Sequence, residues 1–178
     1  GSHLSYLAHA HQDGAQALAA LADSLGAPAR SPVRIPLQLP ELPNGPLTAL
    51  GVAQVIAAMT PENVIFADEA ATASFALLST MARARPHTHL PLTGGSIGQG
   101  LPLAVGAAIA APDRKVICPH GDGGAAYTMQ ALWTMAREKL DVVIVIYANR
   151  SYAILNIELG RVGATGSGPV AMSMLDLH

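Results

Sequence analysis

Residues 116–149 read VICPHGDGGAAYTMQALWTMAREKLDVVIVIYAN, and their order decides the fold class. An apolar run, Val116-Ile117-Cys118, leads into the turn Gly121-Asp122-Gly123-Gly124. A helix is expected from about Tyr127 to Lys139, with Met129, Leu132, Trp133, Ala136 and Leu140 as its apolar stripe and with Trp133 and Met129 in the core. Val142 to Tyr147 is apolar without interruption, as fits the middle of a parallel sheet. Strand, glycine turn, helix and strand make one crossover, which returns the chain beside its starting point.

The same rhythm extends toward the N-terminus. Thr48 can cap a helix through Val52, Val55, Ile56 and Met59. Val64-Ile65-Phe66 reads as a short buried strand ending at Asp68 and Glu69, and a helix through Phe75, Leu78 and Met81 follows. The turn Gly94 to Gly100 opens a small-residue helix, Leu101 to Ala111. This alternation predicts an α/β fold: a doubly wound parallel sheet with helices on both faces. Ligands of such folds sit beyond the carboxyl ends of the strands, here the loops 67–72, 119–125 and 148–152. The stretch 160–168 reads as a mobile loop, and the domain is expected to stop short of its last strands.

Ahead of this domain, residues 4–27 read as a terminal helix with Leu18, Leu21, Ala22 and Leu25 on one face and Gly26 as its stop. Residues 28–46 carry Pro28, Pro32, Pro36, Pro40, Pro43 and Pro46, the composition of a stiff linker. Residues 1–3 read as a tag remnant.

The 178 residues suffice for one α/β domain, or one domain with a remnant of another. Apolar residues make up 51% and charged residues 12%, which excludes a disordered chain. A net charge of −2 gives no basic footprint for nucleic acid, and no apolar run reaches the roughly 18 residues of a membrane span. The single Cys118 excludes an internal disulfide and fits a reducing, cytoplasmic compartment.

The turn Gly121-Asp122-Gly123-Gly124-Ala125-Ala126 follows a strand and opens a helix, so N–H groups and the helix dipole face whatever sits there. Three readings of this anion site are open. The spelling fits a loose dinucleotide fingerprint, but Asp122 would set a carboxylate against a pyrophosphate, and the next strand ends in Ala148-Asn149 with no acid for a ribose. A P-loop needs G-K-[ST], which is absent, and no Lys or Arg stands between Lys115 and Arg137. In the third reading that missing cation is the evidence. Asp122 holds a divalent ion that neutralises a diphosphate, and the Asn149 amide oxygen and the Ser151 carbonyl add oxygen ligands suited to Mg²⁺. Asp122 and Asn149 are 27 residues apart (149 − 122), one turn-helix-strand crossover.

GDG followed at this spacing by Asn resembles the signature of thiamine-diphosphate enzymes. Ala131-Leu132-Trp133-Thr134 with residues 142–155 resembles benzoylformate decarboxylase and acetolactate synthase, and Gly95-Ser96-Ile97-Gly98-Gln99-Gly100-Leu101-Pro102 resembles their glycine-rich turn. The resemblance covers about residues 46–160. It implies that residues 47–178 are a diphosphate-binding domain and that 4–27 end a preceding middle domain. It also implies that Asp122, Asn149 and, through its carbonyl, Ser151 hold Mg²⁺. Gly121, Gly123, Gly124 and Ala125 would hold the diphosphate through N–H groups, and Thr72 would touch it. In the 95–97 turn, with Ser96 between them, the Gly95 carbonyl would accept from the aminopyrimidine and Ile97 would wedge the cofactor into its bent form. The cofactor supplies the carbanion and the electron sink, and the protein supplies positioning and electrostatics.

The implied activity is a thiamine-diphosphate- and Mg²⁺-dependent 2-oxo acid decarboxylase or carboligase of the acetolactate synthase type. In such enzymes the activating glutamate comes from a pyrimidine-binding domain on a partner subunit. A homodimer or tetramer is therefore implied, no catalytic residue is assigned within this chain, and no catalysis is expected of it alone. FAD stays open for the full-length protein. Three departures from the family pattern stand in this sequence, and the first two, Gly124 and Ala148, motivate an alternative, a non-catalytic cofactor-binding or oligomer scaffold. Gly124 stands where the family often has Ser, Ala148 replaces the first of two Asn, and Tyr152-Ala153 replaces Tyr-Gly.

Other polar residues have plainer expectations. His87, His89 and His120 read as surface or loop residues, His120, just before the turn, being the one best placed to approach substrate. Asp68 and Glu69 read equally as site residues or as a cap or surface pair, and Cys118 as inert.

Overall fold

The computed structural model describes residues 3–31, 33–164, 168–173 and 175–176, which fall into two compact units, Gly1–Arg34 and Ile35–His178. The first holds helix α1, Gly14–Ser24. The helix begins later than the pattern of 4–27 suggests because Asp13 caps it, accepting from the N–H groups of Ala15 and Gln16. Gly26 stops it at φ +60°: its N–H donates to Asp23 O, and the Ala27 N–H donates to Ala22 O. The described residues of 28–46 form neither helix nor strand, and the tag residues 1 and 2 and Pro32 lie outside the described set.

The second unit is built on a four-stranded parallel sheet, ordered β2-β1-β3-β4. The strands are β1 Ile65–Asp68, β2 Thr88–Pro91, β3 Val116–Gly121 and β4 Val142–Tyr147. Strand alternation divides the side chains between two cores. Ile65, Ala67, Val116 and Cys118 pack with Leu101, Ala104 and Ala108 of α4 (Gly100–Ala110) and Ala131 and Met135 of α6 (Gln130–Arg137). Phe66 and Ile117 pack with Ala53, Ile56 and Ala57 of α2 (Ala49–Met59) and Leu77 and Met81 of α3 (Ser74–Met81). Helices therefore cover both faces, as the alternation predicts. Thr48 caps α2, its hydroxyl accepting from the Gly51 N–H at 3.0 Å.

Four readings need correction. β2 was not expected, because Pro86-His87-Thr88-His89 carries no strand pattern. Its pairing comes from outside itself: the Thr88 N–H donates to Val64 O, and Arg114 ties Thr88 Oγ1 to the carbonyls of Asn63 and Val64. β4 is an edge strand among the described residues rather than a central one, and its Val143 and Ile146 are exposed. The helix after the GDG turn is two pieces, α5 Asp122–Tyr127 and α6, broken at Thr128-Met129. Trp133 and Met129 are not core, being 63% and 61% exposed, because α6 buries only the narrow stripe of Ala131 and Met135. The Arg137 guanidinium covers the Trp133 ring at 4.6 Å.

Beyond β4 come α7 (Ala153–Arg161) and α8 (Pro169–Ser173). Of the loop expected over 160–168, Gly160 and Arg161 belong to α7, and 165–167 lie outside the described residues.

Candidate functional site

The parallel register sets Gly121 opposite Tyr147 and His120 opposite Ile146, and a further bridge joins Glu69 to His120. The loops after β1, β3 and β4 thus meet at one edge of the sheet. Asp122, the first residue of α5, faces the loop after β4: its Oδ2 accepts from the Arg150 N–H at 2.8 Å, and its Oδ1 from the Gly123 N–H at 2.9 Å. Asn149 Oδ1 accepts from the Ser151 N–H at 3.1 Å, an Asx turn. Between them Arg150 takes φ +54°, a left-handed conformation that costs a bulky residue about 1 kcal/mol and that brings its N–H to Asp122. Asp122 and the 149–151 segment are therefore neighbours. Tyr152 leans over the turn so closely that a Cβ on Gly123 would lie 2.6 Å from its Cε1. Thr72 sits in a 3-10 turn, Ala71–Ala73, and a Cβ on Gly121 would touch Ala71 Cβ at 4.0 Å.

The glycine-rich turn reaches the same place. Gly94, Gly95 and Gly98 all have positive φ, which permits the tight winding. The Ser96 N–H donates to Thr93 O, and the Ile97 N–H to Gly95 O at 2.9 Å. Ile97 is 51% exposed at the tip. Thr128 Oγ1 donates to Gly98 O at 2.7 Å, pinning the turn to the α5–α6 break. A Cβ on Gly98 would lie 2.8 Å from Tyr127 Cβ. Gly124 and Ala125 lie in α5 below this contact.

Asp68 and Glu69 are neither surface residues nor alike, because strand alternation sends them to opposite faces of the sheet. Asp68 Oδ1 accepts from the Ala70 N–H and from Ser74 Oγ, each at 2.9 Å, and Oδ2 lies 3.2 Å from His89 Nε2. Glu69 is 4% exposed and turns to the glycine-rich segment: Oε1 accepts from the Gly98 N–H at 2.5 Å and Oε2 from the Gly100 N–H at 2.6 Å. Sequence reasoning left Glu69 undecided. The available signal was an acid one residue past a buried strand together with the small residues Gly98 and Gly100.

His120 is not a loop or surface residue. It is fully buried in β3, with Nδ1 3.0 Å from Gly121 O and Nε2 3.1 Å from Glu69 Oε2. The Nε2 contact lies off the hydrogen-bond direction, and that atom has no hydrogen-bond partner among the described residues. His87 stacks edge-on against Phe66 at 5.3 Å. Among the described residues no three His, Cys, Asp or Glu side chains gather as a metal cage. Burial, then the carboxylates of Glu69 and Asp68, push the Cys118 thiol from 9.0 up to about 12, so it stays protonated and inert. Burial, then Asp68, push the Tyr147 phenol from 10.0 up to about 12.

Comparison with known proteins adds the following. The family "Thiamine pyrophosphate enzyme, C-terminal TPP binding domain" matches residues 70–173; thiamine pyrophosphate is another name for thiamine diphosphate. The Mycobacterium tuberculosis protein IlvX, which carries the name of an acetolactate synthase large subunit, is 50% identical over 164 residues, covering 92% of this chain and 32% of that protein. Benzoylformate decarboxylase of Pseudomonas aeruginosa is 36% identical over 126 residues, covering 68% of this chain and 24% of that protein. The solved thiamine diphosphate-dependent 4-hydroxybenzoylformate decarboxylase of Rhodococcus jostii RHA1 superposes with a TM-score of 0.71 at 30% identity, covering 91% of this chain and 30% of that one. The chain thus spans about a third of the length of the relatives it matches, or less.

Proposed function

The chain belongs to the thiamine pyrophosphate enzymes, and on that premise we propose that it is the diphosphate-binding part of a thiamine-diphosphate- and Mg²⁺-dependent 2-oxo acid decarboxylase or carboligase of the acetolactate synthase type. The observation that carries this reading is the Asp122 carboxylate, fastened to the segment 149–151 by the Arg150 N–H. Each Asp122 oxygen accepts one hydrogen bond and keeps lone-pair capacity for a cation. With the Asn149 amide oxygen and the Ser151 carbonyl, the donor set is all oxygen, which suits Mg²⁺ bridged to phosphate.

In this reading Asp122, Asn149 and Ser151 hold the metal, and Gly124 and Ala125 offer N–H groups to the diphosphate with Thr72 beside them, whereas the N–H groups of Gly121 and Gly123 are given to Glu69 O and Asp122 Oδ1 and those two glycines only line the turn. Gly95, Ser96 and Ile97 form the turn against which the rest of the cofactor lies, with the Gly95 carbonyl as acceptor and the exposed Ile97 side chain as wedge. When bound, the cofactor supplies the nucleophilic carbanion and the electron sink for a 2-oxo acid. This chain's residues supply orientation, charge neutralisation and an apolar wall. The glutamate that activates the pyrimidine comes from a pyrimidine-binding domain of a partner subunit in a dimer or tetramer, so the chain alone is inactive.

Calorimetric titration of the full-length protein with thiamine diphosphate, with and without Mg²⁺, tests this. Binding that requires Mg²⁺ and is lost in Asp122→Ala supports the reading. An intact protein that binds no thiamine diphosphate at any Mg²⁺ concentration defeats it, leaving a family fold that serves assembly.

A further inference from the structure

Glu69 is buried, and both of its carboxylate oxygens are engaged. Its carboxylate is withdrawn from water, and burying a charge this way is costly unless strong donors replace the lost hydration. The donors are the main-chain N–H groups of Gly98 and Gly100, one for each oxygen. Its own main chain binds the other side of the site: the Glu69 N–H donates to Pro119 O, and the Gly121 N–H donates to Glu69 O, both at 2.9 Å. One residue thus joins the end of β1, the glycine-rich turn and the GDG turn.

The space around the carboxylate explains two glycines. A Cβ on Gly100 would lie 2.8 Å from His120 Cδ2 and 2.9 Å from Glu69 Cβ. A Cβ on Gly124 would lie 2.8 Å from Glu69 Oε1 and 2.9 Å from His120 Cε1. Position 124 is glycine where a serine was the expectation, and a serine side chain has no room while Glu69 and His120 stand beneath it. Gly98, fixed from below by Glu69 and from the side by Thr128, immediately follows Ile97.

We propose that Glu69 is the positioning residue of the cofactor site. Its carboxylate sets the Gly95–Ile97 turn against residues 121–125, and Gly124 is its reciprocal, lacking a side chain so that the carboxylate can occupy that volume. The proposal rests on the cofactor reading above and adds a residue that touches neither metal nor cofactor. Glu69→Gln separates position from shape. The amide keeps the volume but points a donor at one of the two N–H groups, so one charge-assisted bond is lost and two donors face each other.

The experiment uses the full-length protein and two readouts. In hydrogen-exchange mass spectrometry without cofactor, Glu69→Gln should speed exchange of the segment 94–101 by about tenfold and leave the α2 segment 49–59 at the wild-type rate. In calorimetry with Mg²⁺, the thiamine diphosphate Kd should rise by about tenfold. Gly124→Ser should weaken binding in the wild-type background and do so less in Glu69→Ala, where one of the two blocking side chains is gone and His120 remains. Unchanged exchange of 94–101 and unchanged Kd in Glu69→Gln, or a Gly124→Ser penalty of equal size in both backgrounds, would overturn the role of Glu69. Wild-type protein that binds no thiamine diphosphate would instead sink the function proposed above, and the exchange result would still decide whether Glu69 holds the turn.

Discussion

One substitution made twice in the same helix separates crowding from helix propensity. Gly100 and Gly106 both lie in α4; at the interior position 106 alanine has an intrinsic advantage of roughly 0.5–1 kcal/mol over glycine, and at position 100, the first residue of the helix, that advantage is smaller. Their surroundings differ. A Cβ on Gly106 meets nothing within 4 Å, so Gly106→Ala should stabilise the fold by about 0.5–1 kcal/mol. A Cβ on Gly100 meets His120 Cδ2 at 2.8 Å, Glu69 Cβ at 2.9 Å and His120 Nε2 at 3.0 Å. Real side-chain carbons do not approach so closely, and neither neighbour can retreat: His120 has no exposed surface, and Glu69 is held by two main-chain N–H groups. Overpacking of this kind costs roughly 1–3 kcal/mol, more than the propensity gain returns. Gly100→Ala should therefore lower the urea midpoint followed by far-UV circular dichroism, and Gly106→Ala should raise it, with the m-value unchanged in both. Equal midpoints for the two variants would refute the claim that Gly100 is glycine because of what lies beneath it. Structural relaxation around Gly100 would show as a midpoint near wild type, and that too would count against the rigid Glu69–His120 arrangement.

Thr48→Ala should cost about 1 kcal/mol by removing the cap on α2, read as a lower urea midpoint. Tyr147 buries its hydroxyl without a hydrogen-bond partner among the described residues, so Tyr147→Phe should be neutral or stabilise by about 1 kcal/mol in the same assay; a loss of 2 kcal/mol or more would reveal a partner. The Cys118 thiol is neutral when protonated and its folded-state value is raised from 9.0 to about 12, so folded protein keeps a proton that unfolded protein releases. Stability is then whole below pH 9 and falls as pH climbs toward 12, by at most about 1.4 kcal/mol per unit from this group, and Cys118→Ala should flatten that alkaline slope in thermal scans. Asp122→Asn should weaken the bond from the Arg150 N–H as well as any metal site, so exchange at 148–152 should quicken even without cofactor or metal.

What could be read from the sequence was what the chain states locally. The β3–GDG–β4 crossover is legible because an unbroken apolar run, a glycine turn and a second apolar run each point to one structure. The cap at Thr48 and the stop at Gly26 are legible for the same reason. β2 was hidden because its strand character lives in its neighbours: Arg114, fifty residues from the carbonyl of Val64, clamps a segment whose own residues are His, Thr and Pro. Trp133 misled because periodicity shows that a helix has an apolar face without showing how wide a face the sheet will cover.

The candidate site divides along the same line. Asp122 and Asn149 could be paired from their spacing alone, since one crossover separates them and a parallel register returns the chain to its neighbour. Glu69 could not be paired this way, because its partners Gly98 and Gly100 come to it only after α4 has packed on the sheet. Period-two alternation was enough to say that Asp68 and Glu69 face opposite ways, but not what waits on either side. The same holds for Gly124. Along the chain it reads as a lost hydroxyl and a reason to doubt cofactor binding; in space the missing side chain is the room in which Glu69 sits. A departure that leaves a void would weaken a site, whereas here the volume beside Gly124 is filled by a carboxylate that accepts from the Gly98 and Gly100 N–H groups. The family departures are therefore not equal evidence for a non-catalytic scaffold: the missing side chain at Gly124 leaves room for the Glu69 carboxylate, so that position no longer argues for the scaffold by itself.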